Sequence, residues 1–405
     1  MFDKIQNQFG VHLSPGDLEA LNAIQAHNLV SEIQILPSFK RKEISLNSRH
    51  RFFRCDDIVL KASGVDAKLA DYQIGCGFLL MKVGIKTIDL IYSLQDILYK
   101  SILLSDNTRP EFDFFIPNQE LHFRSPENIC SEASLFESVC SGWTHDYSKK
   151  RCSFNPFELT GSHYLDVLSQ ISNEGKDESW ILLHSCGCKI PSVPARMKVK
   201  RAHSYCPDSI QFGNNIPLFR KWAAANRMGI VTRFLRPVQS ILGNFETELI
   251  VDQPHHDVVG SEEEGYTYYN DSQQLVDGRP AILPSGFADS TSYLVMPGPK
   301  KEDVLCGLSH NLKPVVRRDS QRFQTENEVL IAEALLPGRL GRFLKRPPSL
   351  SFHKKPVWSS PASDRLIADL IDRQIISEAT PLYPVFRFRV RRSGERALAR
   401  TLCSS

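Results

Sequence analysis

The sequence predicts an α+β protein, and three observations carry that prediction. Segments of helical and of strand periodicity are interspersed along the chain without βαβ regularity. No internal repeat organises them. The 405 residues, 41% hydrophobic and 23% charged, are enough for one large core and exclude a collagen-like, disordered or membrane-embedded chain. No linker is long enough to force a boundary, so residues 1–405 read as a single domain.

The elements follow in order. Ser14-Pro15 ahead of Leu18, Leu21 and Ile24 predicts a capped helix with proline at its first position. Ser31–Leu36, Asp57–Ala62 and Ile74–Val83 are short apolar runs of strand type. Thr87–Leu104 is interrupted by Asp89, Asp96 and Lys100, and its Ile88, Ile91, Leu94, Ile97 and Leu98 fall at helical spacing. It therefore reads as an amphipathic helix and not a membrane span. A polar, loop-rich stretch follows from Ser105 to Pro156. Trp180–His184 and Glu246–Asp252 read as strands flanking a helical Ile216–Leu242. Pro280–Val295 reads as a hairpin, Asp364–Ile376 as a helix and Pro384–Val390 as a final strand. Pro337–Pro361, rich in Pro, Arg and Lys, reads as an exposed excursion.

Net charge is +3, but residues 301–405 hold 19 Lys and Arg against 11 Asp and Glu, while residues 1–300 hold 30 against 35. A basic C-terminal quarter suits a polyanionic partner or an ordinary solvated surface. The ten cysteines have no disulfide rhythm and Met1-Phe2-Asp3-Lys4 opens no signal peptide. The expectation is a cytoplasmic protein with reduced thiols and no membrane association.

Residues able to carry chemistry sit at the ends of the predicted strands. Cys76 lies between Gly75 and Gly77; His163 follows Thr160-Gly161-Ser162; His184 ends the Trp180 strand; His256 follows Leu249-Ile250-Val251-Asp252. A soft thiolate with three imidazoles is a plausible ligand shell for Mn, Fe, Co or Zn. Each taken singly also fits a hydrogen-bonded core or loop residue. Cys186-Gly187-Cys188 lacks the Cys-x-x-Cys spacing of a zinc knuckle.

In this order the motifs resemble the RtcB-type 3′-phosphate RNA ligases, also called tRNA-splicing ligases. The chain reads Gln73-Ile74-Gly75-Cys76-Gly77, Leu159-Thr160-Gly161-Ser162-His163-Tyr164, His184-Ser185-Cys186-Gly187-Cys188-Lys189, Ala225-Asn226-Arg227, His256-Asp257, Pro284-Ser285-Gly286-Phe287-Ala288 and Ser309-His310-Asn311-Leu312-Lys313-Pro314. The likeness spans roughly Leu36 to Arg391. It implies one large domain of mixed sheets with the active site between them, two Mn²⁺ ions, and GTP as co-substrate. The implied reaction joins RNA 3′-phosphate or 2′,3′-cyclic-phosphate ends to 5′-hydroxyl ends, in tRNA splicing or RNA repair, by a protein expected to be monomeric.

Carried over by residue, Cys76, His163, His184, His256 and Gln73 occupy metal-ligand positions and His310 the nucleophile's. Ser162, Asn226, Asp257, Ser309 and Lys313 fall at cofactor-binding positions. Arg317 and Arg318 beside the nucleophile, and Arg387 and Arg389 on one face of an alternating strand with Arg391, are expected to meet RNA. Arg339, Arg342, Lys345, Arg346, Lys354 and Lys355, with Phe343 and Trp358 as stacking partners, form a second candidate RNA surface. The departures matter as much. Gln73 stands where the family has an aspartate ligand, with Asp71 or Asp257 as candidate replacements for its charge. Asn311-Leu312-Lys313-Pro314 replaces a glycine-rich turn, and Pro314 removes a backbone donor. An RNA-binding protein without activity, or a metal-dependent phosphodiesterase, remains open beside the ligase.

Overall fold

The computed structural model describes residues 5–47, 50–66, 69–70, 74–103, 163–171, 177–185, 209–319, 321–336 and 349–392. Gln73, Asp71, Ser162, the Cys186–Cys188 segment and the polar stretch after residue 103 lie outside them, as do Arg339, Arg342, Phe343, Lys345 and Arg346.

The first elements are β1 (Ile5–Gln6), α1 (Pro15–Gln25), β2 (Val30–Asn47), β3 (His50–Ala62), β4 (Gly77–Val83) and α2 (Thr87–Leu103). After these come β5 (Tyr164–Ile171), β6 (Asp177–Ser185), α3 (Ser209–Leu242), β7 (Thr247–Pro254), β8 (His256–Ser261), β9 (Gly265–Asn270) and β10 (Ser272–Gln274). The chain continues through β11 (Ala281–Leu283), β12 (Ser292–Pro297), β13 (Gly307–Ser309), α4 (Lys313–Arg318), β14 (Phe323–Leu336), β15 (Ser349–Ser359), α5 (Pro361–Asp372) and β16 (Ile376–Arg392). The class is α+β, in several mixed sheets.

Helix α1 starts as its sequence dictates: the Ser14 side chain accepts from the Asp17 N–H, and the Asp17 carboxylate accepts from the Ser14 N–H, a reciprocal capping box. Helix α2 buries Leu90, Leu94, Ile97 and Leu98 and leaves Tyr92 and Tyr99 in solvent. Among the described residues no helix is long and apolar enough to cross a membrane.

A five-stranded sheet runs in the order β1-β2-β3-β9-β8, and a nine-stranded assembly contains β11-β12-β16-β5-β6-β4-β7. The 17-residue β16 links the larger assembly: it pairs in turn with β12, β5 and, in parallel, β14. Helices α2 and α3 cover the larger sheet through Leu90, Leu94, Phe234 and Val238, packed on Leu79, Leu183 and Phe388. Each fully buried Leu or Phe of this kind contributes about 1.5–3 kcal/mol.

Two expectations are corrected. The helix expected to run to Ile376 ends at Asp372, because Gln374 takes a left-handed φ of 62° and Ile376 already pairs in β16. Within the expected exposed excursion at 337–361, Ser349–Ser359 form a regular strand, β15, paired with β14, although most of its side chains are exposed or half-buried. Among the described residues β15 pairs with β14 and, through an isolated bridge, Trp358 with Ser290; its proline-lysine composition suits such an edge, where missing donors and charge oppose further pairing.

Candidate metal centre

The antiparallel registers Gly77↔Ser185, Tyr164↔His184 and Gly77↔Pro254 bring the start of β4, the start of β5, the end of β6 and the end of β7 to one end of the large sheet. Cys76, His163, His184 and His255 sit at those four ends. The smaller sheet arrives through His256↔Asn270, and β13 through Ser272↔Ser309, which adds Asp271 and His310. Backbone bonds lock the junction: His255 N–H to Cys76 C=O at 2.8 Å, Gly75 N–H to His256 C=O at 2.8 Å and Ser272 N–H to His255 C=O at 2.9 Å. Gly77 has to be glycine, since a Cβ there would lie 2.2 Å from the Gln253 carbonyl oxygen. Arg227 of α3, buried, donates to both Gly75 C=O and Asp252 Oδ1 at 2.5 Å.

The side chains converge accordingly. Cys76 Sγ lies 3.8 Å from His163 Nε2 and 3.8 Å from His184 Nε2, and donates to the Ser185 carbonyl at 3.2 Å. His184 Nε2 is 3.0 Å from His255 Nε2. The buried Phe78 ring, on the same face of β4 as Cys76, packs against His184, His255 and His310 with centroids 4.7, 5.2 and 5.6 Å away. Beyond His184, Tyr164 meets it edge-on and carries Arg387 on its other side, 3.9 Å from the ring centroid.

Two sets of ligand atoms lie within 4.8 Å of one another: Cys76, His184 and His255, and His255, Asp271 and His310. Asp271 Oδ1 is 3.1 Å from His255 Nδ1, 3.1 Å from His256 Nε2 and 3.6 Å from His310 Nδ1. Burial pushes the Asp271 carboxyl up, but His310, His256 and His255 together outweigh it and hold it well below the ordinary carboxylate range. Burial, reinforced by His256, pushes His255 down to about 3, so its imidazole is neutral across the physiological range. A thiol, the neutral His255 imidazole and a second buried imidazole, His184, with ligand atoms within 4.8 Å of one another, fit a divalent transition ion.

Of the expected ligands, Cys76, His163 and His184 meet here. His256 is next to the centre but belongs to neither set: its Nδ1 accepts the Asp271 N–H at 3.2 Å and its Nε2 faces the Asp271 carboxylate. His255 stands in both sets instead: it lies in the turn between β7 and β8 and presents Nε2 to His184, while His256 opens β8 opposite Asn270. Asp257 does not return charge to the centre, since its Oδ1 is held by Arg220 Nε at 2.6 Å and by its neighbour's N–H at 2.8 Å. Asp271 was absent from the sequence expectation. Its φ of 55° in an Asn-Asp-Ser turn follows no motif, and only strand pairing places it.

His310 is fixed by a bond from its backbone N–H to buried Asp57 Oδ1 at 2.8 Å. Asn311 Oδ1 accepts the Lys313 N–H at 2.8 Å, which orients the amide nitrogen toward His310 Nδ1 at 2.5 Å. Ser309 is buried against Ser38, whose N–H lies 3.4 Å from its Oγ. Lys313, Arg317 and Arg322 surround the Phe287 ring at 5.4, 5.8 and 5.7 Å. Burial, then Arg317, Arg387, Lys40 and Arg389, hold the Lys313 ammonium below its ordinary pKa. This is a setting that favours an anion beside His310. Asn226 and Arg318 lie in α3 and α4; their side chains are outside the described part.

The expected RNA strip on β16 is not a free basic face. Arg387 is buried and bonds both Asp166 oxygens at 2.5 Å, and Arg389 pairs with Glu333 at 2.7 Å. Pairing β16 between β5 and β14 turns these cations onto acids of the neighbouring strands. Lys354 likewise pairs with Glu328 at 3.0 Å. No protein-family model matches the chain, and no curated protein matches it significantly.

Proposed function

We propose that the protein is a Mn²⁺- and GTP-dependent RNA ligase of the RtcB type, joining 3′-phosphate or cyclic-phosphate ends to 5′-hydroxyl ends. The supporting observation is convergence. Cys76, His163 and His184, distant in sequence, share one end of the large sheet, and His310, from the end of β13, packs against Phe78 and His184 there, next to an anion-favouring cluster.

Cys76, His184 and His255, with His163 alongside, would hold the ion, which supplies a Lewis acid for phosphate oxygens. The chain's own groups do the rest. A His310 ring nitrogen, through its lone pair, attacks the α-phosphorus of GTP, forming a P–N bond as the bond to pyrophosphate breaks. Asn311 and Asp57 hold the ring and backbone of His310 in place, and Lys313 and Arg317 offset the phosphate charge. The GMP then passes to the RNA 3′-phosphate, and attack by the 5′-hydroxyl oxygen releases it. The buried Phe78 ring stacks on His310 and gives the site an apolar wall.

The test is incubation with MnCl₂ and α-³²P-GTP followed by a denaturing gel, with His310→Ala alongside. An acid-labile band lost in the variant is expected. A metal-loaded protein giving no band would overturn the ligase reading in favour of an inactive RNA-binding protein or a metal phosphodiesterase.

A further inference from the structure

Resting on the metal reading above, the inference concerns which of the two ligand sets takes the ion and what Asp271 does there. The sets share His255, yet their hydrogen bonds differ. A carboxylate only accepts, so a ring nitrogen facing Asp271 Oδ1 is best served by carrying a proton. His256 shows this arrangement in full. Its Nδ1 accepts the Asp271 backbone N–H at 3.2 Å, which leaves its proton on Nε2, 3.1 Å from Asp271 Oδ1.

His255 presents Nδ1 to the same oxygen, also at 3.1 Å. The angle is off the hydrogen-bond line, but no other described group bonds that buried nitrogen. With the proton on Nδ1, the His255 Nε2 lone pair faces His184 Nε2 at 3.0 Å and the Cys76 sulfur. The oxygen that already serves two imidazoles is poorly placed to serve an ion as well.

The geometry points to Asp271 as the positioning residue of a single metal site formed by Cys76, His184 and His255. Its carboxylate holds the His255 proton on Nδ1 and so offers Nε2 to the ion, while the His255, Asp271 and His310 set is a hydrogen-bonded network. A carboxylate behind a ligating imidazole fixes its tautomer and raises its basicity, and loss of such a partner costs about 10–100-fold in metal affinity. The backbone of Asp271 sits at φ 55°, an uncommon conformation for a residue with a Cβ, and Ser272 N–H on His255 C=O holds the turn against that histidine.

The experiment is calorimetric and optical titration of the full chain with Co²⁺, for the wild type, Asp271→Asn, Asp271→Glu and His256→Phe. The wild type is expected to take one ion with a thiolate-to-cobalt charge-transfer band. Asp271→Asn should keep the stoichiometry and the band but bind about 10–100-fold more weakly, and Asp271→Glu should recover part of the loss. His256→Phe should keep the band, since His256 is not a ligand. Unchanged affinity in Asp271→Asn would overturn the proposal. So would a wild type that takes two ions and an Asn variant that takes one, because Asp271 would then be a ligand. If Asp271→Asn fails to fold, the Glu variant decides: one ion with the charge-transfer band, at an affinity no more than about 100-fold below wild type, supports positioning, and a lost ion overturns it. A folded wild type that binds no ion removes the metal reading itself, a result distinct from any difference among the variants.

Discussion

At the scale of single residues, burial sets the chemistry. His255 is a 1%-exposed imidazole whose pKa is pushed down to about 3. The unfolded chain protonates this residue near pH 6.5 while the folded chain does not, so below that pH the unfolded state binds the extra proton. Its contribution to stability is therefore complete above about 6.5 and is lost as pH falls toward 3. Between pH 6.5 and 5 the loss should approach about 1.4 kcal/mol per pH unit. Urea unfolding at a series of pH values measures it, and His255→Gln should flatten the curve by that amount. A wild-type profile as flat as the variant's would contradict the burial argument.

The elements explain why two basic residues on one strand differ in weight. Arg387 and Arg389 alternate on β16 and look alike in sequence, but Arg387 is buried between β5 and β14 against Asp166, and Arg389 is partly open beside Glu333. Removing one partner of a buried pair leaves the other charge uncompensated and costs about 3–5 kcal/mol. A solvent-screened pair contributes about 0–1 kcal/mol. Arg387→Ala should thus shift the urea midpoint strongly, and Arg389→Ala little. Equal shifts would show that Arg387 is not enclosed. The same strands show how much of the fold was legible. The capping box of α1, the amphipathic α2 and the hairpin of β11 with β12 follow from local pattern. The end of α5 does not, because Ile375 and Ile376 continue the apolar pattern and only pairing with β12 makes the latter a strand residue.

For the whole molecule, the centre is a junction. Its ligands come from β4, β6 and the turn between β7 and β8, with β13 and the β9–β10 turn behind them. An ion there would tie together the ends of β4 and β6 and the turn that leads from β7 of the large sheet into β8 of the smaller one. Metal at 100 times its dissociation constant should stabilise the fold by about 2.7 kcal/mol, and a chelator should reverse the gain. Thermal unfolding with and without Mn²⁺ measures this, and Cys76→Ser should lose most of the shift. An unchanged midpoint at saturating metal would mean that the native fold does not bind the ion in preference to the unfolded chain.

Local order was written in the chain. Apolar period, caps and glycine spacing dictate helices and strands, residue type singled out Cys76, His163, His184 and His256 as the groups with chemistry, and the family resemblance added His310. Which of His255 and His256 faces inward, that Asp271 stands behind them, and that Arg387 is spent on Asp166 depended on strand register. Register is a long-range property: a shift of one residue reverses every side chain of a strand, and it is settled by partners far along the sequence.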